Sequence, residues 1–155
     1  MARYVASVDT RWERKAAFDY LADFANVADW DPSVPRAQAV TDEPLAVGAR
    51  FEVDFSLLGR EQRLVYETIE IERPRRVVLR AETATAVSVD EMTFDLKPGG
   101  GTIVTYDAEV GMKGTLRLLE IPFQLVFRRL GDSARDGLRR RLAQVPPGGA
   151  RSEAP

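Results

Sequence analysis

The stretch PFQLVFRRLGDSARDGLRRRLAQ, residues 122–144, decides the fold of this chain. Its apolar residues recur at intervals of three and four positions, which places them on one stripe of an α-helix. These residues are Phe123, Phe127, Leu130, Ala134 and Leu138. The opposite side of the predicted helix carries mainly arginine and aspartate. Because a helix of this length spans roughly 35 Å, it can cross a whole face of a small domain.

Two glycines, Gly131 and Gly137, lie inside this predicted helix. Each costs about 1 kcal/mol of helix stability relative to alanine, so a compensating interaction is expected at both positions. Close approach to a β-sheet is one such compensation, and room for a ligand is the other. We therefore expect the rest of the chain to supply a sheet that packs against the apolar stripe.

The composition indicates one ordinary globular domain. The chain has 155 residues, of which 45% are hydrophobic and 30% charged, and this is enough apolar material for a hydrophobic core. The formal net charge of −2 disfavours binding to nucleic acid. No stretch approaches the ~18 consecutive apolar residues of a membrane span, and the first residues do not resemble a signal peptide. We therefore expect a cytoplasmic protein.

Cysteine and histidine are both absent from the sequence. The absence of cysteine rules out disulfides and thiolate metal sites. The absence of histidine rules out histidine-based catalytic triads and the usual zinc sites. We therefore expect neither a metal nor a cofactor, and candidates for acid–base chemistry must come from other side chains.

The chain before the predicted helix is built mainly of strands. Residues 3–9 alternate as a first strand, and residues 13–28 form two short helices that end before Pro32. Thr10 and Glu13 have the spacing of a capping box. Six strand-like segments then follow, and their short loops favour an antiparallel meander. They are residues 36–41, 51–57, 62–72, 77–82, 88–97 and 102–112.

One of these segments, residues 62–72, has an ambiguous side-chain phase. Leu64 and Tyr66 favour one face of the sheet, whereas Val65 and Ile71 favour the other. Because side chains alternate strictly along a regular strand, we expect a β-bulge or a strong twist within this segment.

The predicted elements together form an α+β domain with one curled sheet. A sheet that is apolar inside and polar outside must curl, and a curled sheet cannot close tightly on a straight helix across its whole width. A cavity between the sheet and the helix is therefore expected. Residues 146–155 are proline, glycine and small polar residues, so we predict a single domain over residues 1–145 and a disordered tail.

Four stretches of the sequence resemble one protein superfamily. They are AAFDYLADFANVADWDPSV at residues 16–34, ERPRRVVLRAE at 72–82, GGTIVTYDAEVGMKG at 100–114 and FRRLGDSARDGLRRRL at 127–142. In this order they are similar to the helix pair, middle strands and final helix of the START-like, polyketide cyclase/dehydrase-type superfamily, often called SRPBCC. The resemblance covers about residues 3–144.

The resemblance implies the helix-grip fold, in which a curved seven-stranded antiparallel sheet grips a long C-terminal helix around a hydrophobic cavity. The superfamily includes lipid-transfer domains, plant hormone receptors, birch-pollen-type allergens and aromatic polyketide cyclases. It shares no single catalytic motif, so the resemblance assigns no residue a role. The absence of histidine also departs from those cyclase members that are thought to use one.

Asp90 and Tyr106 are the polar residues that best fit a catalytic role. Their strand phase places them on the same face as Met92, Phe94 and Ala108, which is the predicted apolar face. A carboxyl group in an apolar cavity has a raised pKa and can act as an acid or a base. The structural alternatives are that Asp90 reaches water or an arginine, and that Tyr106 only fills the core.

Trp30 lies in the sequence DWDP, where the second short helix leads into the sheet. It could gate a ligand cavity or close the end of the core as a structural plug, and the plug is the favoured interpretation. The flanking Asp29 and Asp31 lack the further acidic residues that a metal site needs, so we interpret them as solvated residues.

Three functions remain open at this point. The leading hypothesis is binding of a small hydrophobic or aromatic molecule in the cavity between the sheet and the C-terminal helix. The predicted ligand-binding residues are Trp30, Phe51, Phe55, Met92, Phe94, Tyr106, Phe123 and Phe127. The first alternative is a polyketide cyclase/dehydrase-like enzyme in which Asp90 or Tyr106 moves protons. The second is a non-catalytic accessory protein without an open cavity. Ligand identity and oligomeric state stay undetermined.

Overall fold

A computed structural model describes residues 1–147 of the chain, and its central element is one antiparallel β-sheet. The seven strands are β1 (Ala2–Thr10), β2 (Arg36–Ala39), β3 (Arg50–Leu57), β4 (Arg60–Glu72), β5 (Arg76–Glu82), β6 (Ala86–Leu96) and β7 (Thr102–Met112). Their order across the sheet is β1-β7-β6-β5-β4-β3-β2, so β2 to β7 form a meander and β1 pairs with the last strand. The short connections predicted the meander, and the structure confirms it.

The helices all come from the segments that the sequence predicts. Helix α1 (Arg14–Ala22) and helix α2 (Val27–Trp30) follow the first strand and are separated by a 3-10 turn. The long helix α3 (Glu120–Leu142) has 23 residues and packs along β1. A 3-10 helix leads into it from the end of β7. The predicted α+β helix-grip fold, a curved sheet around a long C-terminal helix, is therefore confirmed.

The predicted capping box before α1 is wrong. Thr10 belongs to β1, and its hydroxyl donates to the backbone carbonyl of Leu142 at 2.7 Å. Glu13 itself occupies the N-cap position and makes no side-chain capping hydrogen bond. Thr10 therefore joins the end of the first strand to the end of α3, which is a long-range contact that local spacing does not encode.

The predicted bulge in β4 is present. The register between β4 and β5 shifts between Thr68 and Glu70, so the inward side chains change parity at that point. Before the shift Tyr66 and Thr68 are buried, and after it Ile71 packs on the core. The bulge explains why no single alternation describes this strand.

One end of the sheet is filled by a solid core. The ring of Phe18 on α1 meets Phe94 edge-to-face, with 5.3 Å between the ring centroids. The ring of Phe24 meets Phe51 in the same manner at 6.3 Å. These aromatic contacts close the space under the helices, so any room for a ligand must lie farther along the sheet.

The two glycines of α3 allow close approach to two different elements. A Cβ atom added at Gly131 would lie 2.4 Å from ring atoms of Tyr4 on β1. A Cβ atom added at Gly137 would lie 1.8 Å from the backbone carbonyl oxygen of Trp30. Both distances are far below van der Waals contact, so only glycine lets the helix pack this closely. The expected approach to the sheet therefore applies to Gly131, whereas Gly137 approaches the end of α2.

Candidate functional site

A cavity of about 350 Å³ lies between the inner face of the sheet and α3, which lines it from Phe123 to Leu138. Its wall is mainly apolar and includes residues from β1, from β3 to β7, from α3 and from the segment after α2. Leu138 and Leu142, in the last turns of α3, are buried at 2% exposure, whereas Phe123 and Phe127 are only half-buried. The helix thus borders the cavity along most of its length and becomes more deeply buried toward its C-terminal end.

Five of the eight residues proposed as ligand contacts line this cavity. They are Trp30, Phe55, Tyr106, Phe123 and Phe127. The rings of Phe123 and Phe127 stack on each other with 5.7 Å between their centroids. Their spacing of four places both on the helix face that looks into the cavity.

Phe51, Met92 and Phe94 do not line the cavity but lie in the solid core, each at most 1% exposed. Strand alternation places these side chains on the inner face, as expected, but does not say what covers them. Phe18 and Phe24, from the helical segment after β1, cover Phe94 and Phe51. For these three residues the proposed ligand contact is therefore replaced by core packing.

Four polar side chains meet on the inner face of the sheet at the cavity wall. The Tyr106 hydroxyl donates to Oδ2 of Asp90 in a short hydrogen bond. The Ser88 hydroxyl lies 3.4 Å from Oδ1 of the same carboxyl group. The hydroxyl groups of Tyr66 and Ser88 are 3.0 Å apart. The structure thus brings the two catalytic candidates, Asp90 and Tyr106, into direct contact.

Small residues in the strand register make this network possible. Ala81 on β5 stands between Tyr66 on β4 and Ser88 on β6, being paired in register with both. Because alanine has a short side chain, the phenol of Tyr66 reaches across β5 to Ser88. Ala108 stands directly opposite Asp90, and Tyr106 reaches the carboxyl group from the diagonal position.

Burial controls the protonation of this network. It raises the pKa of Asp90 to about 6, and the hydrogen bonds from Tyr106 and Ser88 oppose that rise only in part. Burial also raises the pKa of Tyr66 and of Tyr106 well above 10, helped by the negative charge of Asp90. Both phenols therefore remain protonated at neutral pH and act as hydrogen-bond donors, while Asp90 is the group that titrates.

Asp31 is a second carboxyl group at the cavity wall. Its Oδ1 accepts hydrogen bonds from the backbone N–H of Ser33 at 2.9 Å and from the Ser33 hydroxyl at 2.7 Å. Burial raises its pKa, and its charge in turn raises the pKa of Asp90. The sequence-based interpretation of Asp31 as a solvated turn residue is therefore wrong.

Asp29 does not join this site. It accepts a hydrogen bond from the Tyr20 hydroxyl at 3.0 Å and is not among the residues that line the cavity. Within residues 1–147, no group of three or more histidine, cysteine, aspartate or glutamate side chains is placed to hold a metal ion.

The Trp30 side chain both closes the end of the core and lines the cavity. Its side chain is buried at 4% exposure and meets Tyr106 edge-to-face, with 5.7 Å between the ring centroids. The ring therefore supports the phenol that donates to Asp90. This position serves the structural role favoured from the sequence, and it also leaves the ring beside any molecule in the cavity.

The polar members of the wall that sequence reasoning missed include Asp31, Tyr66 and Arg135. The bulge in β4 obscured the inward phase of Tyr66. Arg135 lies on the polar side of the helical stripe, and no local pattern indicates that it reaches the cavity. Its guanidinium is paired with Asp132 at 3.3 Å and with Asp136 at 3.1 Å. Ser88, by contrast, shares its strand face with Asp90, and that signal was present in the alternation.

The arrangement can perform two chemical tasks. An apolar wall with a few convergent hydroxyl and carboxyl groups can hold and orient a small molecule. A buried carboxyl group with a pKa of about 6 can also accept or release a proton near neutral pH. Within the part of the chain that the structure describes, no helix is long and apolar enough to cross a membrane.

Solved structures with the same architecture share little sequence with this chain. A START superfamily protein from Mycobacterium smegmatis matches 92% of this chain and 97% of its own, with a TM-score of 0.75 and 9% identity. The Zhui aromatase/cyclase from Streptomyces sp. R1128 matches 90% and 92%, with a TM-score of 0.74 and 10% identity. At such identities the likeness shows the fold alone.

A plant protein has the same fold. Ginseng major latex-like protein 151 from Panax ginseng matches 92% of this chain and 98% of its own, with a TM-score of 0.69 and 11% identity. A comparison with curated protein sequences found no match. The family model described as polyketide cyclase / dehydrase and lipid transport matches residues 1–144. Because this match spans the sheet and all three helices, the chain belongs to the polyketide cyclase/dehydrase and lipid transport family.

Proposed function

We propose that the protein binds a small hydrophobic or aromatic molecule in the cavity between the sheet and α3. The observation that carries the proposal is the mainly apolar cavity of about 350 Å³ with hydroxyl and carboxyl groups converging on its wall. Small-molecule sites typically have volumes of roughly 300–1,000 Å³ and this kind of lining. Family membership is consistent with such a role.

In the proposed complex, the apolar body of the ligand contacts Phe55, Phe123 and Phe127. Its polar group lies at Asp90 and Tyr106, which hold the orientation. Phe51, Met92 and Phe94 support this wall from the core and are not proposed as contacts. A cytoplasmic location stays a prediction, as do the single domain over residues 1–145 and the absence of nucleic-acid binding.

Titration with an apolar fluorescent probe tests the proposal. Saturable binding to the wild type is expected. In Ala108→Phe the new ring occupies the cavity and should abolish binding, because Ala108 lines the wall. Ala39→Phe is the matched control, since Ala39 is exposed on the edge strand β2 and outside the cavity wall.

Equal binding by both variants would place the probe outside the cavity and contradict the proposal. Native mass spectrometry of freshly purified protein provides an independent test, because a ligand bound in the cell can survive purification. A small molecule retained by the wild type and by Ala39→Phe, but lost from Ala108→Phe, supports the cavity as its site.

A second candidate function is polyketide cyclase/dehydrase-like catalysis. The specific observation that favours it is the contact between Tyr106 and a buried Asp90 whose pKa is about 6. A general acid or base works best when its pKa lies near the working pH. Cyclisation of a soluble poly-β-carbonyl compound, followed by mass spectrometry, tests it. Turnover that disappears in Asp90→Asn while binding persists supports catalysis, and equal turnover in that variant contradicts it.

A further inference from the structure

Few residues of the cavity wall carry a formal charge, and only some of these charges have an ion-pair partner. Among the described lining residues they belong to Asp31, Asp90 and Arg135. The guanidinium of Arg135 already pairs with Asp132 and Asp136, which are partly exposed on the same helix. Its positive charge is therefore already paired with two partly exposed carboxylates of the same helix.

The two cavity aspartates have no cationic partner within the described chain. Asp90 receives hydrogen bonds from Tyr106 and Ser88, and Asp31 receives them from Ser33. No lysine or arginine lies within ion-pair distance of either carboxyl group in residues 1–147. Burying a carboxylate without an opposite charge is costly, and the cost is relieved when a cation is brought to it.

Both carboxyl groups also retain acceptor capacity. An ionised carboxylate offers about four lone-pair positions, and Asp90 uses two of them. Both hydrogen bonds to Asp31 reach its Oδ1, and none of the described hydrogen bonds reaches its Oδ2. A donor placed in the cavity would therefore find unoccupied acceptor positions on two carboxyl groups.

The aromatic residues beside these carboxyl groups favour the same kind of ligand. The rings of Trp30 and Tyr106 lie 5.7 Å apart at the cavity wall, next to Asp90. Aromatic faces carry negative electrostatic potential and attract ammonium groups. The remainder of the wall is apolar, which suits a hydrocarbon or aromatic body.

We propose that the ligand of this cavity is an apolar amine, whose protonated nitrogen pairs with Asp90 and Asp31 while its body contacts the rings of α3. This inference rests on the proposed binding function and names the ligand class for the same cavity. An anionic ligand would bring a third negative charge to the two carboxylates. A neutral alcohol would form hydrogen bonds there but would leave the buried charge uncompensated.

Three probes with one apolar body test the ligand class. They are 1-naphthylmethylamine, 1-naphthylmethanol and 1-naphthoate, titrated into the full chain at a pH where the amine is protonated. The amine is expected to bind roughly tenfold or more tightly than the alcohol, because its hydrogen bonds are charge-assisted. The carboxylate is expected to bind more weakly than the alcohol.

Aspartate variants then test which groups recognise the amine. Asp90→Asn and Asp31→Asn should each reduce the ratio of the amine's affinity to the alcohol's affinity, because each removes one of the negative charges that the ammonium group meets. Asp95→Asn is the matched control, because Asp95 is exposed on the same strand as Asp90 and the change removes the same formal charge. It should keep the full preference. If Asp90→Asn does not fold, the test rests on the comparison of Asp31→Asn with Asp95→Asn.

The outcomes separate this inference from the proposed function. If the alcohol binds in the cavity but the amine binds no more tightly, the amine inference is overturned and the binding function stands. A preference for the amine that survives in both cavity variants also overturns it. If none of the three probes binds, the inference and the proposed binding function fail together.

Discussion

The carboxyl groups of Asp54 and Asp90 lie on opposite faces of the same sheet and are held in opposite ways. On the outer face, hydrogen bonds from Arg63 and Arg36 lower the pKa of Asp54 to about 2. On the inner face, burial raises the pKa of Asp90 to about 6, and the negative charge of Asp31 adds to the rise. The alternation of a strand decides which face each aspartate occupies, and the partners on that face decide its protonation.

The raised pKa of Asp90 predicts a pH-dependent stability difference between the wild type and Asp90→Asn. Between about pH 4 and pH 6 the folded wild type binds more protons than its unfolded chain, so its stability falls as pH rises through this interval. The variant lacks this titration. We expect its unfolding free energy, relative to wild type, to increase by roughly 1–3 kcal/mol from pH 4 to pH 7.

Urea unfolding at several pH values measures this difference. Asp54→Asn is a control in which the pKa shift has the opposite sign. The lowered pKa of Asp54 stabilises the folded state fully above about pH 4, and this stabilisation is lost only as the pH falls toward 2. Its destabilisation should be constant from pH 4 to pH 7. A stability difference for Asp90→Asn that is flat over the same interval would contradict the buried, uncompensated carboxyl group.

At the scale of single elements, the two halves of the continuous helix α3 have different roles. Its C-terminal half carries Gly137, Leu138 and Leu142, all buried against neighbouring elements. Its N-terminal half carries Phe123 and Phe127 over the cavity. One continuous apolar stripe therefore serves core packing at one end and the proposed ligand contact at the other.

Gly137→Ala tests the tight end of the helix. The added methyl group would overlap the backbone carbonyl of Trp30, and backbone moves less readily than a side chain. We expect a loss of roughly 1–3 kcal/mol in unfolding free energy despite the better helix propensity of alanine. Ser133→Ala, at an exposed position of the same helix, should change it by less than about 0.5 kcal/mol. A stabilised Gly137→Ala protein would show that the close approach is absent.

Amide hydrogen exchange tests the division of α3 into two halves. Amides of residues 123–130 should exchange faster than those of residues 136–142. The residues of the first group that line the cavity are only half-buried, whereas Gly137, Leu138 and Leu142 in the second group are buried. A saturating ligand should slow exchange mainly in the first group. Uniform exchange along the helix, unchanged by ligand, would argue that the two halves do not differ.

At the scale of the whole molecule, the cavity results from how three helical segments cover one curved sheet. The helices after β1 fill one end with aromatic side chains, and α3 spans the rest. Because the cavity exists only in the folded state, a ligand that occupies it must stabilise the fold. At a free concentration of about one hundred times the dissociation constant, the gain is roughly 2.7 kcal/mol.

Thermal unfolding checks this prediction. For a domain of this size the gain corresponds to a rise in Tm of roughly 5–11 °C, and Ala39→Phe should show the same rise. Ala108→Phe should show none at the same ligand concentration. A rise of equal size in both variants would indicate binding outside the cavity.

Much of this architecture could be predicted from local patterns. The sequence pattern located all seven strands within a few residues and placed Asp90 and Tyr106 on one face. The mixed phase of residues 62–72 predicted the bulge that the register confirms. These features follow from the spacing of apolar side chains, which repeats every two residues in a strand and every 3.6 residues in a helix, and which a short stretch of sequence is enough to show.

Along the regular strands, the sequence by itself determined which side chains face inward, and the tertiary structure alone decided what each one meets there. Phe51 and Phe94 lie in the core because helical residues distant in the chain cover them. Tyr66 reaches Ser88 because the register puts alanine between them. Asp31 reaches the cavity because α2 packs on Gly137 of the last helix. The physical reason is that alternation reports a side chain's direction, whereas its depth and partners depend on contacts between elements far apart in sequence.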